Sequence, residues 1–262
     1  MQLEDNENHH HLGILTIRNA LHTFLFFICT MQMIFHPENP QGNSIIPNDE
    51  EQRHLRALRM ENGTQILVSN GSGTIFLCEV LALKKETHLT ILSSTFHEPR
   101  EAFLEIAIAP TKNNDRLEWF VEKAVELGIE KIYLIKCDHS ERPIIKTERL
   151  YRVAIAALKQ SRKAFLPEIT ELISFDEVLK SSNAQIKCIA HCDDSIEKSL
   201  LKNTLVKNQS ALICIGPEGD FSSKEIISAS QANFIGVSLG NSRLRTETAG
   251  LAAVHTFELI QQ

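Results

Sequence analysis

Two short stretches of this 262-residue chain hold residue types that could grip a small charged ligand. The first, Ile215-Gly216-Pro217-Glu218-Gly219-Asp220-Phe221-Ser222, directly follows an apolar run. Gly216 and Gly219 let the backbone approach a ligand closely, and Pro217 stiffens the loop. Ser222 and Glu225 have the spacing of a capping box, which predicts the start of a helix. The second stretch is Leu239-Gly240-Asn241-Ser242-Arg243-Leu244-Arg245-Thr246-Glu247-Thr248-Ala249. Arg243 and Arg245 flank Leu244 beside a glycine turn, and guanidinium groups bind phosphate through paired hydrogen bonds. Thr246 is expected to cap the following helix, with Ala249, Ala252 and Ala253 giving it a small-residue face. On composition alone, the first stretch is also readable as a plain strand-to-helix turn. The second is also readable as a capped helix with solvated arginines.

Other chemistries lack their residues. The sequence holds no GxxxxGK[ST], no HExxH and no GxSxG, which removes support for P-loop hydrolysis, zincin chemistry and the α/β-hydrolase elbow. Gly71-Ser72-Gly73 lacks a third glycine and precedes a strand-like run, so it is a turn and not a dinucleotide fingerprint. Six scattered cysteines form no CxxC pair. Cys188 and Cys192 bracket His191, yet buried small hydrophobes explain them better than a metal does, so no metal is expected. Reduced thiols fit a cytoplasmic protein.

The elements that must position the two stretches follow a parallel rhythm. Strands are predicted at Phe103–Ala109, Lys131–Ile135, Ile186–His191, Ala211–Ile215 and Phe234–Leu239. A helix between the first two carries Leu117, Phe120, Val121, Ala124 and Val125 on one stripe, with Asp115 and Glu118 at its start and Gly128 at its end. Further helices are predicted over 146–163, 195–206, 222–232 and 246–260. This alternation predicts an α/β domain over 101–262, a parallel sheet with helices on both faces and both glycine stretches at carboxyl ends of strands, where ligands bind. Upstream, residues 33–96 read as a small β-barrel. Strands are expected at Gln65–Ser69, Thr74–Leu83 and His88–Leu92, with a hairpin turn at Asn70–Gly73 and a short helix at Glu50–Met60. Residues 1–32 read as a leader without chemistry. It has no basic start like a secretory signal, and its longest apolar run, Phe24–Cys29, is far too short to span a bilayer.

The chain is 43% hydrophobic and 23% charged, the composition of an ordinary globular protein. Its net charge of -6 gives no global field for nucleic acid. Residues 142–163 depart from that average, with seven cations (Arg142, Lys146, Arg149, Arg152, Lys159, Arg162, Lys163) against Glu148 alone. At helical spacing Arg149, Arg152, Lys159 and Lys163 share one side, while Leu150, Val153, Ala154, Ala157 and Leu158 take another. A basic stripe of this kind can follow a phosphate backbone, although many such runs are simply solvated helix faces. Arg53, Arg56 and Arg59 form a second cationic set.

Taken together, Ile215-Gly216-Pro217-Glu218-Gly219, Leu239-Gly240 and Leu244-Arg245-Thr246-Glu247-Thr248-Ala249 resemble the signature of the RsmE-type 16S ribosomal RNA (uracil-N3) methyltransferases of the SPOUT superfamily. His54-Leu55-Arg56-Ala57-Leu58-Arg59, Lys123-Ala124-Val125-Glu126-Leu127-Gly128, Ser140-Glu141-Arg142 and Gln160-Ser161 with Leu166-Pro167 extend the resemblance, in order, over residues 33–260. Three positions depart from the pattern. Asp220 stands where many members have glycine, Arg162-Lys163 replaces a Gly-Arg pair, and Lys159 replaces an acid.

The resemblance implies a PUA-like RNA-binding barrel followed by a SPOUT domain with a trefoil knot, an exception to the usual connection rules. It implies a homodimer that binds S-adenosylmethionine and methylates N3 of a 16S rRNA uridine. The implied cofactor residues are Ile215, Gly216, Pro217, Glu218, Gly219, Leu239, Gly240, Leu244, Arg245 and Thr246. Arg245 and Arg142 are the expected catalytic residues, stabilising charge on the uracil carbonyls, with Glu218 and Glu247 as candidate bases. Expected RNA contacts are Arg56, Arg59, Lys112, Arg142, Arg149, Arg152 and Lys163. No membrane partner is expected. The rival readings are a SPOUT enzyme acting elsewhere, such as on a ribose 2′-hydroxyl, and a non-catalytic RNA-binding assembly factor.

Overall fold

In the computed structural model the described residues are 31–82, 86–141 and 145–262. The expected leader therefore lies outside them, apart from Met31 and Gln32. The described chain forms two compact units: residues up to Val68 with Phe76–Ser94, and Ser69–Ile75 with Thr95–Gln262.

The first unit is built on a five-stranded sheet, ordered β1-β3-β4-β5-β2, of β1 (Met33–Phe35), β2 (Ser44–Ile45), β3 (Gln65–Ser69), β4 (Thr74–Ala82) and β5 (Thr87–Phe96). Ile34, Ile45, Leu55, Ile66, Val68, Phe76, Cys78, Val80 and Leu89 fill its core. Just before β1, the Gln32 carbonyl accepts from the Leu67 N–H of β3 at 2.9 Å. The helix α1 (Asp49–Ala57) starts at Asn48, whose side chain accepts from the Glu51 N–H. β5 runs further than the expected His88–Leu92. Its last residues are exposed, so no hydrophobic alternation marks them in the sequence.

The second unit is a seven-stranded sheet whose neighbouring strands all run parallel. Its strands are β6 (Leu104–Ile108), β7 (Lys131–Lys136), β8 (Glu168–Ser174), β9 (Ile186–Ala190), β10 (Ser199–Leu200), β11 (Ala211–Ile215) and β12 (Ile235–Ser238). The order across the sheet is β10-β12-β9-β11-β6-β7-β8. The helices are α2 (Asn114–Leu127), α3 (Thr147–Ser161), α4 (Phe175–Ser181), α5 (Leu201–Thr204), α6 (Ser223–Gln231) and α7 (Thr246–Gln261). α2 and α7 pack together, with α7 against β6 and β11. There Gly250 permits a close approach, since a Cβ at that position would stand 2.7 Å from the Phe120 ring. α4 and α6 cover the opposite face through Phe175, Val178, Ile226 and Ala229.

Several local expectations need correction. α2 is capped by Asn113, whose side chain accepts from Asp115 N–H, and not by Asp115 itself. Its end is as expected, with Gly128 left-handed at φ 110. The helix expected over 195–206 shrinks to α5, because Ser199 and Leu200 pair with Val237 and Ser238 as an edge strand. β8 and α4 add to the elements expected from the sequence. β8 is an edge strand that is nowhere fully buried, so it lacks the apolar run that marks its neighbours.

Arg100 ties the second unit together. Its Nη1 donates to Glu258 Oε1 at 2.7 Å, and its Nη2 to the Gly128 carbonyl and Glu130 Oε2, each at 2.7 Å. The guanidinium also lies 5.4 Å from the centre of the Phe257 ring. Glu130 Oε2 accepts in turn from Leu104 N–H at 2.7 Å, so one cluster joins α7, the end of α2 and the start of β6.

Candidate functional site

Because the strands are parallel, the loops after β6, β7, β9, β11 and β12 emerge at one edge of the sheet. At the end of β11, Ile215, Gly216 and Pro217 are buried and Glu218 and Gly219 exposed. The loop closes through Asp220 N–H donating to the Pro217 carbonyl at 3.0 Å. Asp220 holds φ 62, a left-handed conformation that favours glycine. Its carboxylate offsets the strain, accepting from Cys192 N–H at 2.7 Å and Phe221 N–H at 2.8 Å. A Cβ on Gly216 would stand 3.0 Å from the Phe221 ring, so glycine leaves that ring its room. Ser222 and Glu225 form the expected capping box at the start of α6.

The second loop leaves β12 through Leu239 and Gly240, the latter at φ +129 with open space where a Cβ would sit. Leu239 and Leu244 are half-buried, whereas Arg243 and Arg245 are exposed. Thr246 does not cap α7. The N-cap is Arg245, with no side-chain capping bond. The buried Thr246 hydroxyl donates instead to the Gly216 carbonyl at 3.1 Å, joining the two glycine loops directly. Leu239 and Gly240 also line a cleft of about 300 Å³ with Leu200, Lys202 and Thr256. Half-buried leucines beside an open glycine backbone suit an aromatic base whose edge needs backbone partners.

Charged groups collect on the same edge. Lys112 N–H donates to Glu218 Oε1 at 3.1 Å, and Lys112 Nζ lies 2.9 Å from Glu141 Oε2, which pushes the lysine pKa up. Glu247 is buried in the first turn of α7. Its Oε1 is 3.8 Å from Arg116 Nε, and its Oε2 has no hydrogen-bond partner. Arg142 lies outside the described residues. On α3, Arg152 is exposed and borders an open groove of about 510 Å³ with Tyr151, Glu148 and Glu171. Arg149 is exposed too, but it pairs with Glu118 on α2, Nε to Oε1 at 2.6 Å and Nη2 to Oε2 at 3.0 Å. The stripe is therefore less positive than its composition. Arg162 caps α3 at φ 54, a glycine-favouring conformation, with the half-buried Lys163 after it. Arg56 and Arg59 are exposed in the first unit.

Local spacing could not reveal three further contributors. β9 lies between β11 and β12, with Ala190 opposite both Ile215 and Val237, so His191 and Cys192 emerge between the two glycine loops. His191 is 6% exposed and neither ring nitrogen has a partner. Burial, and then nearby Lys198, hold its pKa below the usual 6.5, favouring the neutral ring. The third is His139, after β7, whose Nδ1 lies 3.0 Å from the carbonyl oxygens of both Gly219 and Asp220. The only sequence signal for these residues is their place just past an apolar strand. Burial pushes the Cys188 thiol up to about 12, which leaves it inert as a nucleophile. Among the described residues no group of three or more His, Cys, Asp or Glu could hold a metal, and no helix is long and apolar enough to cross a membrane.

Comparison with known proteins adds an independent line. A family model described as an RNA methyltransferase domain matches residues 98–258, and one described as an RNA methyltransferase PUA domain matches 47–92. The chain is 28% identical over 220 residues to ribosomal RNA small subunit methyltransferase E of Bacillus subtilis, covering 78% of this chain and 86% of that one. Among solved structures, it is similar to a probable rRNA-methyltransferase from Porphyromonas gingivalis at 39% identity and TM-score 0.81, covering 88% of this chain and 98% of that one. It also resembles a ribosomal RNA small subunit methyltransferase E from Neisseria gonorrhoeae bound to S-adenosyl methionine, at 25% identity and TM-score 0.74, covering 88% and 98%.

Proposed function

The chain belongs to the RNA methyltransferase domain family, and on that premise we propose that it methylates N3 of a uridine in 16S rRNA, with S-adenosylmethionine as donor. The observation that carries this reading is the Thr246–Gly216 hydrogen bond, which brings both glycine loops to one place. The donor supplies an electrophilic methyl group on a sulfonium. Leu239 and Leu244, with the backbone at Gly216 and Gly240, would hold the donor. A uracil N3 is a nucleophile only after its proton leaves, and Arg245, with Arg142, stabilises the charge that then spreads onto the ring carbonyls. Fixing acceptor and donor in line supplies much of the acceleration.

Residues 33–96 act as the RNA-binding PUA-like barrel and 101–262 as the catalytic domain. Arg56, Arg59, Lys112, Arg152 and Lys163 contact the RNA, with Arg149 engaging once it leaves Glu118. The active form is a cytoplasmic homodimer. The catalytic domain carries a trefoil knot. This is supported by the β9–β11 connection, whose β10 runs outside β12, while the chain after β12 returns to pack α7 on α2 and β6. Nucleoside mass spectrometry of small-subunit RNA incubated with the protein and S-adenosylmethionine tests the reading. 3-Methyluridine is the expected product. A 2′-O-methyl nucleoside, or no modification at all, refutes it.

A further inference from the structure

Most acids at the rim of the site have at least one oxygen held by a donor, while Glu247 Oε2 is buried without a partner. Glu218 Oε1 accepts from Lys112 N–H, and Glu141 pairs with Lys112 Nζ. Both oxygens of Asp220 hold backbone N–H groups, and Asp138 Oδ2 accepts from the Ser222 hydroxyl at 2.7 Å. Glu225 serves the capping box and Asp138 N–H. Glu247 is buried beside Arg116.

His139 differs. Its Nδ1 is 3.0 Å from two carbonyl oxygens, of Gly219 and Asp220, and carbonyls only accept, so Nδ1 must carry the ring proton. In the neutral ring this leaves a bare lone pair on Nε2. The residue is exposed and packs on the glycine loop, its Cβ standing 3.1 Å from where a Gly219 Cβ would be. The charged groups gathered around it are Asp138 and Glu141 on its own loop, Lys112 after β6, Glu218 and Asp220 after β11, and Glu225 on α6.

We infer that His139 is the general base of the reaction, taking the uracil N3 proton on Nε2 while its Nδ1–H holds the 219–220 turn. The inference rests on the uracil-N3 reading above. As the proton moves to Nε2, the N–H bonding pair becomes the nitrogen lone pair that forms the new N–CH₃ bond. The pair of the breaking C–S bond stays on sulfur, leaving a neutral thioether and an imidazolium that releases its proton to water.

Three measurements on the full-length protein test the assignment. Nitrogen-15 NMR should show the Nδ1–H tautomer for His139 in the ligand-free protein. His139→Gln keeps a donor for the loop carbonyls but cannot accept the proton. Its kcat should fall about 100-fold, within the usual range for loss of a general base, while calorimetric affinity for S-adenosylmethionine stays within about twofold. Added imidazole should restore part of the turnover lost in His139→Ala. An Nε2–H tautomer, or wild-type kcat in His139→Gln while the wild-type enzyme makes 3-methyluridine, overturns the assignment. Absence of 3-methyluridine from the wild-type reaction refutes the underlying reading instead.

Discussion

Replacing Thr246 with valine isolates the hydrogen bond between the two glycine loops. Valine keeps the branched shape, so the packing beside Gly216 is preserved and no cavity opens. The hydroxyl is lost, and the Gly216 carbonyl it served at 3.1 Å is left in a buried place. An orphaned buried acceptor costs about 1–3 kcal/mol. In a domain of this size each kcal/mol lowers Tm by about 2–4 °C, so thermal unfolding should shift down by roughly 2–12 °C. If S-adenosylmethionine occupies both loops, the loosened junction should also weaken its binding in calorimetry. Thr246→Ser, which keeps the oxygen, should stay closer to wild type in both assays. A Thr246→Val protein within about 1 °C of wild type with unaltered cofactor affinity would show that the junction does not hold the pocket together.

Other perturbations probe the remaining parts. Arg245→Ala should lower kcat strongly while cofactor affinity changes within about twofold; equal losses in both would mark it as a cofactor-binding residue instead. Arg152→Glu should weaken RNA binding and reduce the salt slope by about one, read from binding at several salt concentrations. Gly250→Ala should cost about 1–3 kcal/mol in urea unfolding, because the new methyl would sit 2.7 Å from Phe120. The lowered pKa of His191 sets a pH dependence of stability. As pH falls through 6.5, the unfolded chain gains a proton that the buried ring resists. Stability should therefore be full above that pH and decline below it, and His191→Gln should flatten the slope of the urea midpoint against pH.

The sequence carries the central strands and both glycine loops legibly, because Ile186–Ala190 and Ala211–Ile215 are near-continuous apolar runs buried on both faces. β8 escapes because an edge strand with one open side needs no such run. The role of Thr246 escapes because a cap and a cross-loop donor look alike in a linear sequence. Arg149 reads as a free cation until α2 brings Glu118 beside it. His139 and Gly219 are eighty residues apart, and only the parallel sheet, setting the loops after β7 and β11 at one edge, makes them neighbours.

The Arg100 clamp has a consequence for synthesis. Glu258 enters the cluster from 158 residues further along the chain. At ribosomal speeds of about 5–20 residues per second, Arg100 and Glu130 wait on the order of 10–30 s for their last partner to be made. Until then this partly desolvated charge cluster is incomplete and α2 lacks its companion helix. Until that last helix is made, a nascent chain should leave exposed the Phe120 surface against which Gly250 later packs.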